Sequence, residues 1–420
     1  MFKGTIISFR PGRNCRIYFG ALLAAICLAG CAGPEIKTGP VFFPPPPNPP
    51  RIQFLKGIAD SRDIEEIKSG FTLFMTGKQE ADTVKPIVKP YGISTHKGKI
   101  YVSDLGGSSI VIIDPAKKDV SYLKGNYGLG KLKKPSNVAF DANDNIYVSD
   151  PLRKDVVVFR PDGEFLRAIG KEYNMKPADI AISGDDLFVL DLANNVIKAF
   201  DLRDGSLVGD FGKATESGAE GLAVPTSLAM DSKGFLYATN IATGKVIKMD
   251  RDGHILMTFG KLGDIVGEFA RPKGIAVDGE GRIFVVDGGH QNVQIFNDKG
   301  RILAFFGDPG LPVGSLNLPV GVATTTENLD YFQKMAAPGF KVEEVIIVTN
   351  QFGDAKLSVY GLGRMEGGVY PSEKEMEETL GAKAKAAAEK EKKDGKAEPA
   401  KDAVKDKKEP AKETPALPGK

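Results

Sequence analysis

Three histidines and a recurring series of Asp and Asn residues are the side chains of this 420-residue chain that could support acid–base or metal chemistry. His96, His254 and His290 are its only histidines, and a zinc ion would need its ligands within about 2 Å of itself. Asp104, Asp150, Asp191, Asn240, Asp287 and Asn350 each close a short apolar run, and oxygen donors of this kind suit calcium or magnesium. Near the start of the preceding runs stand Gly92, Asn137, Asp179, Ser227, Gly274 and Gly321, where Asp179 is the one acidic exception. A catalytic ion requires an asymmetric ligand set. A residue type repeated in every unit reads instead as a structural device, an Asp or Asn accepting hydrogen bonds from backbone N–H groups of its own turn. The many glycines sit in hairpins, where positive φ is required, and not in a phosphate loop between a strand and a helix. No cofactor and no metal is expected.

The elements that position these residues repeat six times. Each unit opens with a proline (Pro90, Pro135, Pro177, Pro225, Pro272, Pro319), at spacings of 45, 42, 48, 47 and 47 residues. A short apolar strand follows, then a turn, a second strand ending in Asp or Asn, further turns and strands, and usually a closing Gly. A period of this length with little helical pattern predicts an all-β fold, a six-bladed β-propeller with one blade per repeat. The clearest copy runs Pro272 to Asp278, Gly281 to Asp287, Asn292 to Phe296 and Gly300 to Gly307, with apolar residues alternating as two-faced strands require. Pro135 to Asp141, Asn145 to Asp150, Val156 to Phe159 and Gly163 to Gly170 repeat it. These runs resemble the NHL repeat, and the resemblance spans about Pro90 to Leu362. The chain contains no Trp, which argues against a WD-type blade.

Blade six has strands near Gly321–Thr326, Val345–Thr349 and Lys356–Tyr360, an insertion near Glu327 to Glu343, and no fourth strand of its own. Arg51 to Ile58 alternates like a strand without a partner. It is expected to become the outer strand of blade six and close the ring, removing an unpaired edge. Phe71 to Met75 could be a supplementary strand or an apolar plug.

In such a blade, links between second and third strands share one face with the links between blades. This upper face receives His290, whereas the hairpins holding His96 and His254 fall below. Three histidines so divided cannot share an ion, which departs from the zinc-dependent peptide-amidating lyase of the NHL type. The gluconolactonase-like propellers instead hold a divalent ion through Glu, Asn and Asp at the axis. That makes an exported metal-dependent hydrolase or lyase the alternative reading.

The chain ends speak to location. Lys3, Arg10, Arg13 and Arg16 precede an apolar run from Ile17 to Leu28, too short for a bilayer span, and residues 1–30 read as a signal peptide. Leu28-Ala29-Gly30-Cys31 resembles the lipobox of bacterial lipoproteins, which implies lipidation of Cys31, the only cysteine outside the signal. Ala32 after it implies sorting to the outer membrane. Residues 31–50 form a Pro-rich spacer and 51–371 the propeller. Residues 372–420, rich in Lys, Glu, Asp and Ala, cannot bury enough apolar surface to fold alone and read as a disordered tail. A net charge of +2 demands no nucleic-acid partner.

What remains is a polar upper rim on a rigid frame, where recognition usually resides. Arg153, Lys154, Lys245, His290, Asn292 and Gln351 are the candidate binding residues there. The sequence thus reads as a lipid-anchored, non-enzymatic envelope propeller with a monomeric frame. Its expected partner on the upper face is an envelope protein or a glycan.

Overall fold

The computed structural model describes residues 39–66, 83–213, 221–311 and 313–370, together with Glu375. Cys31, the signal segment, Phe71 to Met75 and nearly all of the charged tail lie outside them. Six antiparallel sheets form the blades of a β-propeller. Blade five shows the common plan, with strands Pro272–Val277, Ile283–Asp287, Asn292–Phe296 and Ile302–Phe306 in that spatial order.

Position within the blade decides each strand's composition. The second and third strands are buried on both faces, as in Ile146–Asp150 and Asp155–Phe159, because each packs against the neighbouring blade on either side. These strands are accordingly near-continuous apolar runs. The fourth strands alternate between partly buried and exposed residues, as in Leu207–Phe211 and Ile255–Phe259. Six apolar layers result, one between each pair of adjacent blades.

In five of the six blades the opening proline begins the first strand, where a missing N–H removes no ladder bond; in blade two the strand begins at Asn137. In five of the blades the register slips immediately after the proline, for example between Pro177 and Asp179. A bulge of this kind re-aims the following side chain, and in these five blades it accompanies the placing of the third residue of the unit at the axis.

Ile52–Ile58 pairs antiparallel with Leu357–Met365 and closes the ring inside blade six, as the alternation of the segment implied. The blade continues one strand further. Phe42–Phe43, within the Pro-rich stretch, pairs with Ile52 and Gln53. Phe43 is buried beside Phe306 and Tyr360. Part of the stretch read as a spacer is thus the fifth strand of the sheet, because its two phenylalanines have an apolar seam to fill. The insertion of blade six forms a short helix, Leu329–Gln333, and lengthens the second strand to Phe340–Asn350.

Candidate functional site

The first strands of all six blades line an axial cavity of about 370 Å³. The six axial positions divide into two halves. At Gly92 and Gly321 a Cβ would stand 2.1 and 2.5 Å from the backbone oxygens of Ser136 and Tyr91 on the next blade, so only glycine permits that approach. Across blades two to four, side chains make the junction instead. Asp179, 2% exposed, accepts through Oδ1 from the Asn137 amide and from the Ile180 N–H at 2.7 Å. Its Oδ2 accepts from the Ser227 hydroxyl at 2.5 Å and the Leu228 N–H at 2.8 Å. Burial raises the pKa of Asp179, and the four donors oppose that rise. Each oxygen already holds two hydrogen bonds, which leaves the carboxylate without a free lone pair for an ion. Burial likewise lowers the pKa of Lys273, with the Arg271 charge adding to it, and raises that of Tyr91.

The six residues closing the second strands are also occupied. Asp104 accepts from the N–H groups of Val88 and Lys89 in the incoming link and of Gly106 in its own turn. Asp150 does the same with Lys133, Lys134, Leu152 and Arg153, and Asp191 with Lys176 and Ala193. Asp287 takes Ala270, Arg271 and Gly289. Asn240 and Asn350 each accept one link N–H, from Ala223 and Asn317. The four Asp residues therefore cap their own turns and, beyond the sequence reading, also pin the link arriving from the preceding blade, while Asn240 and Asn350 accept from that link.

The upper-rim candidates separate by what their polar atoms already touch. Arg153 holds Asp155 through two nitrogens at 2.8 and 3.0 Å and the carbonyls of Leu129 and Lys131 through Nη1. Its guanidinium is a clamp on its own rim. Gln351 donates to the Pro90 carbonyl and so ties blade six to blade one. Lys154 donates to Asn174 Oδ1 at 2.7 Å. Lys245 begins the third strand of blade four, paired with Asn240.

His290 and Asn292 differ, and the structure brings them together. They line a pocket of about 230 Å³ at the outer part of blade five. His290 Nδ1 lies 2.8 Å from Asp287 Oδ2. A carboxylate there holds a proton on Nδ1, and in the neutral ring the Nε2 lone pair is then available. Nε2 is buried and has no hydrogen-bond partner, and the same holds for Asn292 Oδ1. The Asn292 amide is oriented by its NH2 group, which donates to Asp308 Oδ1 at 3.1 Å. Asp264 stands 3.6 Å from Nε2, beyond hydrogen-bond reach, and is almost fully exposed. Ile265, Val266 and Phe305 supply apolar walls that are open to solvent. The sequence reading missed Asp264, Phe305 and Asp308. The available signal was the link Gly263-Asp-Ile-Val-Gly267, which sets two aliphatic residues between glycines.

The other two histidines serve their own surroundings. His96 stacks on Phe140 at 4.1 Å and meets Asp144 at 2.8 Å. His254 pairs with Asp250 at 3.0 Å. Asp250, Asp252 and His254 could bring ligand atoms within 4.8 Å of one another, the only such trio among the described residues. Asp250 Oδ1 is committed there to the N–H groups of Asp252 and His254, an ordinary capped turn.

The model of the NHL repeat matches residues 269–296, which cover the first three strands of blade five. A search of curated proteins finds no match. Among solved structures, a protein of unknown function from Bacteroides thetaiotaomicron aligns at 15% identity and a TM-score of 0.48. That alignment covers 74% of this chain and 75% of the other. A gluconolactonase from Xanthomonas campestris aligns at 15% identity and 0.47, covering 74% and 98%. A streptogramin B lyase aligns at 14% identity and 0.46, covering 66% and 84%. At these values none assigns an activity to this chain.

Proposed function

We propose that this six-bladed β-propeller, whose fifth blade matches the NHL repeat, is a non-enzymatic binding scaffold. In this reading lipid on Cys31 holds it at the bacterial envelope, in the outer membrane, and its upper face recognises an envelope protein or other ligand. The observation that carries the reading is the state of Asp179. The one acidic residue at the axial strand starts has all its acceptor sites filled by Asn137, Ile180, Ser227 and Leu228. It serves as a staple joining blades two, three and four, a role that leaves no carboxylate lone pair for a catalytic ion. The anchor rests on the Leu28-Ala29-Gly30-Cys31 sequence.

Elemental analysis of the chelator-free protein separates this from the metal-dependent hydrolase reading. The scaffold reading expects no stoichiometric divalent metal, and crosslinking in intact envelopes that captures a defined partner. One tightly held calcium per chain, lost in Asp179→Asn, would reverse the assignment. Replacement of Cys31 by Ser should release the protein from membranes; a variant that stays membrane-bound would refute the anchor.

A further inference from the structure

The blade-five pocket is unusual in the kind of atoms it presents. Gln294 uses its amide oxygen for the Gly267 N–H and its amide nitrogen for the Glu268 carbonyl, both at 2.8 Å, and so is held by the link that walls the pocket. His290 Nε2, with Nδ1 directed at Asp287, has no hydrogen-bond partner and accepts in the neutral ring. Asn292, 9% exposed, directs an unpartnered Oδ1 from a side chain anchored on Asp308. A buried acceptor left unsatisfied costs about 1–3 kcal/mol, and such groups are rare enough in native proteins that each calls for an explanation.

Charge narrows the explanation. Asp264 and Asp308 put two carboxylates on the pocket, and no Lys or Arg lines it. Phe305 and Val266 offer apolar surface beside those acceptors, 40% and 53% exposed. Hydroxyl groups of a neutral sugar could donate to Nε2 and Oδ1, yet would gain nothing from the charge of the two carboxylates. An ammonium group carries three donors and the balancing charge on a compact head, and its alkyl stem suits the apolar wall. A cation near an aromatic face is favoured as well. The volume, below that of a drug-sized ligand site, fits a single short chain.

We propose that this pocket binds a primary alkylammonium group, whether on a lysine side chain of a partner protein or on a free amine. The inference rests on the scaffold reading and gives the upper face a chemical specificity. Calorimetric titration of the full-length protein with 1,5-diaminopentane and with Nα-acetyl-lysine methylamide tests it, with N-acetylglucosamine and 1-pentanol as uncharged probes. Both amines should bind and the uncharged probes should not. Asn292→Leu and His290→Gln should each weaken amine binding at least about tenfold, while Tm stays level or rises. Preference for diaminopentane would point to free amines as the source, and preference for the lysine derivative to protein lysines. Absence of amine binding, stronger binding of N-acetylglucosamine, or amine binding that survives both substitutions would overturn the proposal. Envelope crosslinks that persist in Asn292→Leu would then show the scaffold reading standing without it.

Discussion

Asp179 and the His290–Asn292 pair are both buried polar groups on one propeller, and they have opposite fates. The carboxylate at the axis receives four donors from three blades. The imidazole and amide of blade five are each held firmly at one end, by Asp287 and to Asp308, and left unmatched at the other. Burial alone therefore does not distinguish a structural group from a recognition group. The distinction lies in whether the fold itself supplies every hydrogen-bond partner. A fully satisfied network rigidifies, whereas a half-satisfied one keeps an affinity for something outside.

The comparison breaks most readily at the axis. Asp179→Ala strands two backbone N–H groups, the Ser227 hydroxyl and the Asn137 amide together. It should cost about 3–5 kcal/mol, read from the urea midpoint at constant m. A loss under 1 kcal/mol would show that the staple is incidental.

Glu344 sharpens the comparison as an intermediate case, a buried acid whose neighbours are charged. Burial, with Asp278 close by, raises its pKa to about 7 despite the Arg282 guanidinium at 2.7 Å. Between about pH 4.5 and 7 the folded protein keeps a proton that the unfolded chain has released. Stability tied to this group is thus complete below pH 4.5 and declines as pH rises through 7, by at most about 1.4 kcal/mol per pH unit. Glu344→Gln should flatten that slope in denaturation measured across pH. An unchanged slope would mean that the carboxyl is already ionised across the window.

A smaller effect is expected where the ring closes. The Thr349 hydroxyl donates to the Tyr91 carbonyl of blade one at 2.6 Å and accepts the Gly321 N–H at 2.8 Å. Thr349→Val preserves shape and removes both bonds, at a cost of about 1–2 kcal/mol. Amide exchange should report the loss at Gly321 and the Tyr91–Gly92 junction, and protection that is unchanged there would remove the latch from the account. The smallest effect, and of opposite sign, belongs to Asn292→Leu. Replacing an unmatched buried acceptor by an apolar group should be neutral or raise stability by a few tenths of a kcal/mol. A loss above 2 kcal/mol would place Asn292 with Asp179 among the structural groups.

Much of the frame was legible before any coordinates. The starting prolines mark where the first strands begin in five of the six blades, and the Asp at four second-strand ends caps its turn because short polar side chains reach nearby N–H groups. The closing strand at Ile52–Ile58 was legible because an alternating segment without a local partner had one vacant place in blade six. Phe42 and Phe43 were not, since a run of prolines favours extended backbone whether or not it joins a sheet. Arg153 and Gln351 looked like open rim donors by sequence position. Their partners, the Leu129, Lys131 and Pro90 carbonyls, lie 22 or more residues away.

The sequence by itself determined the repeat, the six blades, the class of each strand and the isolation of the histidines from one another. All of these follow from local periodicity and turn chemistry. Only the tertiary structure decided which polar atoms are satisfied. Asp179 meets its partners across 42 and 48 residues, and the pocket joins Asp264, His290 and Asp308 from separate turns of blade five and the link before it. Periodicity sets which face a side chain occupies. Whether a donor waits for it there depends on how neighbouring elements pack, and that is a property of the assembled ring.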